Sequence, residues 1–291
     1  MQPVDYMRSG ALVLAFAVTA FQDVKTWLLT DFIATAVFGI GCYLLPDGLL
    51  GYVTEGDLDV VHQYYMQTCG LLLLGLAMVW YECRRSPDQN VITTLLLSRV
   101  VGLSALIIAQ IYAQLKYRKE KQKWGEQHLY FSILGTSMWL LGNLFHLVHS
   151  KSLGSYSTAA NQLLNQLLYL LGFFGIAQFC LFFAYPDYGF RLVALKNFKP
   201  DGIHLHLART CGCLMLMVAL FALRAIHFRD ILDKRQIFLT GLVVLVLSII
   251  TVALHQHHSG LFHQQGTPWM VSTVGLASLG VYSVGLYKSR T

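Results

Sequence analysis

The sequence predicts an all-α protein: a polytopic transmembrane helical bundle in which two parallel four-helix repeats follow a short N-terminal helix. Three observations predict it. The 291 residues are 55% hydrophobic and only 12% charged, with a mean hydropathy of +0.54, whereas a soluble domain carries about a quarter charged residues. The apolar residues fall in runs of membrane-spanning length. A set of short landmarks also recurs once, in the same order, about 140 residues further along the chain.

The runs cover residues 28–46, 64–82, 92–114, 129–149, 164–185, 207–225, 236–254 and 269–287. At about 1.5 Å per residue, each is long enough for a hydrocarbon core of roughly 30 Å. All six prolines (Pro3, Pro46, Pro87, Pro186, Pro200, Pro268) fall at span ends or between spans. An internal proline would remove a backbone hydrogen bond that lipid cannot replace. Ahead of the first run, Gly10 to Phe21 is apolar after Arg8, with no small-residue cleavage site followed by polar sequence. It is expected to be a retained short helix within residues 1–27, either spanning or lying in the interface.

The landmarks define the repeat. Leu45-Pro46-Asp47 ends the first run and Tyr185-Pro186-Asp187 ends the fifth. Asp59-x-x-His62 precedes the second run and Asp201-x-x-His204 precedes the sixth. Thr68-Cys69-Gly70 matches Thr210-Cys211-Gly212, Gly102-Leu103 matches Gly241-Leu242, and Leu141-Gly142 matches Leu279-Gly280. The expected units are therefore residues 28–149 and 164–287. An even number of spans gives both the same orientation, as in parallel-repeat transporters. Lys and Arg divide eight to nine between the two faces, so the positive-inside rule assigns no orientation. The basic residues lack the aromatic interleaving of a nucleic-acid surface, and no nucleic-acid partner is expected.

One unit resembles the DoxX-like four-helix membrane proteins, and within them the small p53-inducible membrane protein of animals. The resemblance rests on an apolar helix ending in Pro-Asp, a short loop, a second helix opening with Thr68-Cys69-Gly70, and two more helices. It implies a fold and no activity. This chain departs from it by carrying two units and an Asp-x-x-His before the second helix of each.

Asp59, His62, Asp201 and His204 form the one polar motif that the duplication repeats. Each pair reads as a helix cap, with Asp accepting backbone N–H bonds at the helix start. The alternative is a shared metal site of two imidazoles and two carboxylates. The expected outcome is capping, with the two histidines too far apart to share an ion. His255, His257, His258 and the following His263 read as a histidine-rich loop, open to metal binding or to simple solvation. Arg99 is an ionisable group inside the third run, where the choices are a functional role or snorkelling to the nearer face. Five of the six cysteines lie in apolar segments and Cys83 at the end of one, and they read as inert thiols.

No catalytic signature and no cofactor follow from these residues. The leading expectation is a non-catalytic integral membrane protein that acts on a membrane-protein partner, as a scaffold, assembly or regulatory subunit. Its surroundings are the lipid bilayer. One alternative is a transporter or carrier of a lipid or small molecule in the cavity between the repeats. The other is a metal-dependent enzyme or redox protein at the Asp-x-x-His pairs.

Overall fold

The computed structural model describes residues 3–117, 119, 123–125, 128–150, 162–193, 198–259 and 267–290. These form eleven α-helices and one two-stranded pairing. Helix α1 (Pro3–Thr19) leads into α2 (Val24–Leu44), the short α3 (Pro46–Val53), α4 (Val60–Cys83), α5 (Gln89–Lys116) and α6 (Leu134–His149). A π-helical turn, His128–Ile133, runs directly into α6. Then follow α7 (Gln162–Ala184), the short α8 (Pro186–Val193), α9 (Gly202–Ala225), α10 (Ile231–Ser259) and α11 (Thr267–Lys288).

Among the described residues, seven helical stretches are long and apolar enough to cross a membrane by length and composition: Val24–Leu44, Val60–Cys83, Gln89–Lys116, Phe131–His149, Gln162–Ala184, Gly202–Ala225 and Ile231–His257. That is compatible with an integral multi-pass membrane protein. The eighth expected span, 269–287, lies within α11 and is not among these seven.

Aspartates start the helices. Asp23 caps α2 through the N–H groups of Lys25 and Thr26, and Asp88 caps α5 through that of Asn90. Each carboxylate satisfies donors that a helix start leaves orphaned. Prolines set the breaks: Pro46 opens α3 directly after α2, and Pro186 opens α8 directly after α7. A first-turn proline costs no intrahelical bond there. The expected loop over 47–62 is thus largely helical. Its strand β1 (Thr54–Glu55) pairs antiparallel with β2 (Lys123–Trp124), tying the α2–α4 and α5–α6 connections together at one end.

Helices α4 and α9 pack against each other at the centre. α2 lies along α4, and α7 lies along α9. The third long helix of each half then crosses over: α5 packs mainly on α9, and α10 packs mainly on α4. α6 and α11 lie outside them, on α5 and α10. The two halves therefore interlock and do not stand as separate bundles. Small residues allow the closest approach. A Cβ on Gly70 would lie 2.7 Å from the Tyr43 nitrogen and 2.8 Å from the Gly39 oxygen, both backbone atoms of α2.

Candidate functional site

The two Asp-x-x-His motifs converge. Asp59 Oδ1 accepts from Val61 and His62 N–H at 2.9 and 3.0 Å, and Asp201 Oδ1 accepts from Ile203 and His204 N–H, both at 2.9 Å. Each histidine returns the favour in a capping box: Nδ1 of His62 accepts from Asp59 N–H at 3.0 Å, and Nδ1 of His204 accepts from Asp201 N–H at 3.3 Å. The capping expected from sequence is therefore present.

The expected separation of the histidines is not. Their rings stack with centroids 3.5 Å apart, inclined by 25°. The reason is the packing of α4 on α9, which brings two helix starts to one place. His62 Nε2 lies 3.2 Å from Asp201 Oδ1, and His204 Nε2 lies 3.0 Å from Asp59 Oδ1. Each aspartate thus caps its own helix and accepts from the histidine of the other. Burial alone would raise both carboxyls, but hydrogen bonds from His204 and His62 outweigh it and hold Asp59 and Asp201 below the ordinary carboxylate range.

Asp59, His62 and His204 offer donor atoms within 4.8 Å of one another, yet the donor geometry opposes a shared ion. The two Nε2 atoms are aimed at different carboxylates, so no single point faces both along their lone pairs. The third donor, His62 Nδ1, is held by a backbone N–H. If a ring is protonated, Nδ1 can turn its proton to its own carboxylate, 2.9 Å away in both motifs. Both nitrogens are engaged in either state. The arrangement is a saturated clasp between α4 and α9.

Arg99 does not snorkel. Its guanidinium stays in the core, donating from Nε to Asp31 Oδ2 at 2.9 Å, from Nη2 to Asp31 Oδ1, and from Nη2 to Thr35 Oγ1 at 2.8 Å. Asn143 adds a donor to Asp31 Oδ2 at 3.3 Å. Asp31 is fully buried on α2, and this bidentate partner keeps the Arg99 charge inside. Nη1 meets only the thioether of Met217, at 3.8 Å.

Arg99 also lines a cavity of about 620 Å³ bounded by α2, α3, α4, α5, α6 and α9. Ligand sites of drug-sized molecules span about 300–1,000 Å³. The walls are mostly apolar, with Leu73, Leu103, Leu106, Leu214 and Phe131 among them. Polar groups gather at two levels. Arg99 and Thr35 form one; Gln110, Thr136 and His206 form the other. Eleven residues of α5 separate Arg99 from Gln110, about 16 Å along the axis. Gln110 Nε2 donates to Thr136 Oγ1 at 3.1 Å, and Thr136 donates in turn to Ser132 O at 2.6 Å. The Thr136 proton is thereby committed, which fixes the amide orientation. Gln110 Oε1 is left with no hydrogen-bond partner among the described residues.

One family profile matches residues 29–284, that of a domain of unknown function, DUF8292. The chain belongs to the DUF8292 family. No curated protein and no solved structure matches it. The family's matched region takes in the clasp, the Arg99–Asp31 pair and the cavity together.

The histidine-rich loop of the expectation is instead the last part of α10, which continues to Ser259. His255 sits on that helix, its Nε2 2.7 Å from Gln67 Oε1 and its ring edge-on to Tyr64. His257 lies on the same helix, as does His258, whose side chain falls outside the described residues, as His263 does entirely. The inert reading of the thiols fits free, mostly buried cysteines, though Cys180 is exposed. Cys69 and Cys211 meet across the α4–α9 contact with sulfurs 3.1 Å apart. Asp31, Thr35, Asn143 and Gln110 were not singled out from the sequence. For Asp31 the signal was there: an acid inside an apolar run, opposite in sign to Arg99.

Proposed function

We propose that this DUF8292 protein is an integral membrane protein that holds an apolar small molecule or lipid in the cavity between its two halves, as a carrier or receptor. The observation that carries this reading is the 620 Å³ cavity, whose apolar walls come from α2 to α6 of the first half and α9 of the second. A few polar groups at its two levels give such a site orientation, as ligand pockets commonly have. The long helices are not interrupted by proline, which favours a ligand held in place over the broken-helix machinery of alternating access. The Asp-x-x-His clasp, being saturated, serves this reading as the tie between halves.

The halves themselves are read as a tandem duplication in one orientation. In its support, α2–α4 packing is mirrored by α7–α9, α5–α9 by α10–α4, and α5–α6 by α10–α11. The scaffold alternative draws no separate support from the packing, since exposed apolar residues such as Leu170 and Phe173 on α7 suit lipid as well as a partner helix.

The test is to purify the protein from membranes and analyse the co-purified lipids by mass spectrometry. One molecular class, enriched over the bulk membrane to near one per chain, is expected. A lipid profile equal to that of the surrounding membrane would contradict the reading.

A further inference from the structure

Resting on the carrier reading, we propose that the occupant is a neutral amphiphile bearing a hydroxyl or amide N–H, which Gln110 recognises at one end of the cavity. The argument begins with an acceptor that lacks a donor. Gln110 is 5% exposed, its Nε2 is spent on Thr136, and Thr136 is spent on Ser132. The amide cannot flip to relieve Oε1 without placing its NH₂ where that acceptor now points and its carbonyl against the Thr136 oxygen. A buried carbonyl oxygen without a partner is costly, and a donor brought by a ligand removes that cost.

Charge selects next. Among the described lining residues, the full positive charge of Arg99 is offset by Asp31, which holds it through two donors. An ionised carboxylate or phosphate in this cavity would be buried without a free counter-charge, and a carboxylate would set acceptor against acceptor at Gln110. A neutral head with one donor meets both conditions. The wall between the two polar levels, formed by Leu103 and Leu106 of α5, Leu73 of α4 and Leu214 of α9, takes the apolar chain. A ligand of this class uses hydrocarbon burial for affinity and one hydrogen bond for selection.

The experiment uses the full-length protein in lipid nanodiscs and three labelled probes of equal chain length: dodecanol, methyl dodecyl ether and dodecanoate. Saturable binding of dodecanol about tenfold tighter than that of the ether is expected, with dodecanoate weakest at neutral pH. In Gln110→Leu, the alcohol and the ether should bind alike. Retained ether binding shows at the same time that the variant is folded. Equal affinities for alcohol and ether in the wild type, a preference for dodecanoate, or discrimination that survives Gln110→Leu would each overturn the hydroxyl assignment while leaving the carrier reading intact. Absence of saturable binding by all three, in a wild-type protein that also carries no enriched native lipid, would overturn the carrier reading and this assignment with it.

Discussion

Two charges at membrane depth cost several kcal/mol each unless something neutralises them, and Asp31 and Arg99 neutralise each other. The pair is bidentate, and Thr35 and Asn143 occupy further positions around it. Removing one partner strands the other. Asp31→Asn or Arg99→Met alone should destabilise the protein by about 3–5 kcal/mol. The double variant should lose much less than the sum of the two. Thermal unfolding in detergent measures this, and additive losses would show that the pair does not act as a unit. The clasp makes a different prediction. Asp59 and Asp201 are held below the ordinary carboxylate range when folded, so the unfolded chain binds protons first as the pH falls. Their contribution is fully present above the unfolded carboxylate pKa and is lost as the pH drops through the folded one. The midpoint of thermal unfolding should therefore fall on acidification below that range. The slope should be shallower in the Asp59→Asn/Asp201→Asn variant; an identical slope would count against the clasp.

Helix boundaries were legible where residue chemistry acts locally. Asp59 and Asp201 start α4 and α9, and Pro46 and Pro186 mark the ends of α2 and α7, as their caps and missing N–H groups require. What the sequence hid was tertiary. Nothing in a run of leucines says that α5 crosses to α9, so neither the stacking of His62 on His204 nor the pairing of Arg99 with Asp31 could be placed. Gln110 looked like one polar residue near a span end until packing enclosed it. The histidine tract misled because its composition is that of a loop, while α10 carries it as helix. Helix contacts give their own test at glycines. A Cβ at Gly142 would overlap the ring of Trp27, which is fully buried and stacks on His146. At Gly70 it would meet backbone, which cannot step aside. Gly142→Ala and Gly70→Ala should each cost about 1–3 kcal/mol of stability. Gly135→Ala, where an added Cβ meets nothing within 4 Å, should cost none in the same unfolding assay.

The molecule is joined across its halves at both ends. At one end the clasp links α4 to α9. At the other, Asp88 Oδ2 accepts from Arg229 N–H at 2.8 Å, Asn90 Nδ2 donates to His227 O at 3.1 Å, and Ser86 Oγ donates to Asp233 at 2.7 Å. Between these ties the crossed helices leave the large cavity on the α5–α6 side. On the α10–α11 side a cavity of about 240 Å³ remains, where the Tyr282 ring lies against Gly241. The asymmetry in size is what singles out one cavity for a ligand. Gly135 lines the larger cavity and has open space in front of its Cα, so Gly135→Phe fills the site without forcing the helices apart. Native mass spectrometry of the wild type and Gly135→Phe, released from the same membranes, tests the central claim most directly. The wild type should carry one small apolar adduct per chain, and Gly135→Phe should lose it while unfolding at the same temperature or higher. A wild type without an adduct, or an adduct equally abundant in Gly135→Phe, would contradict the assignment of that cavity as a binding site.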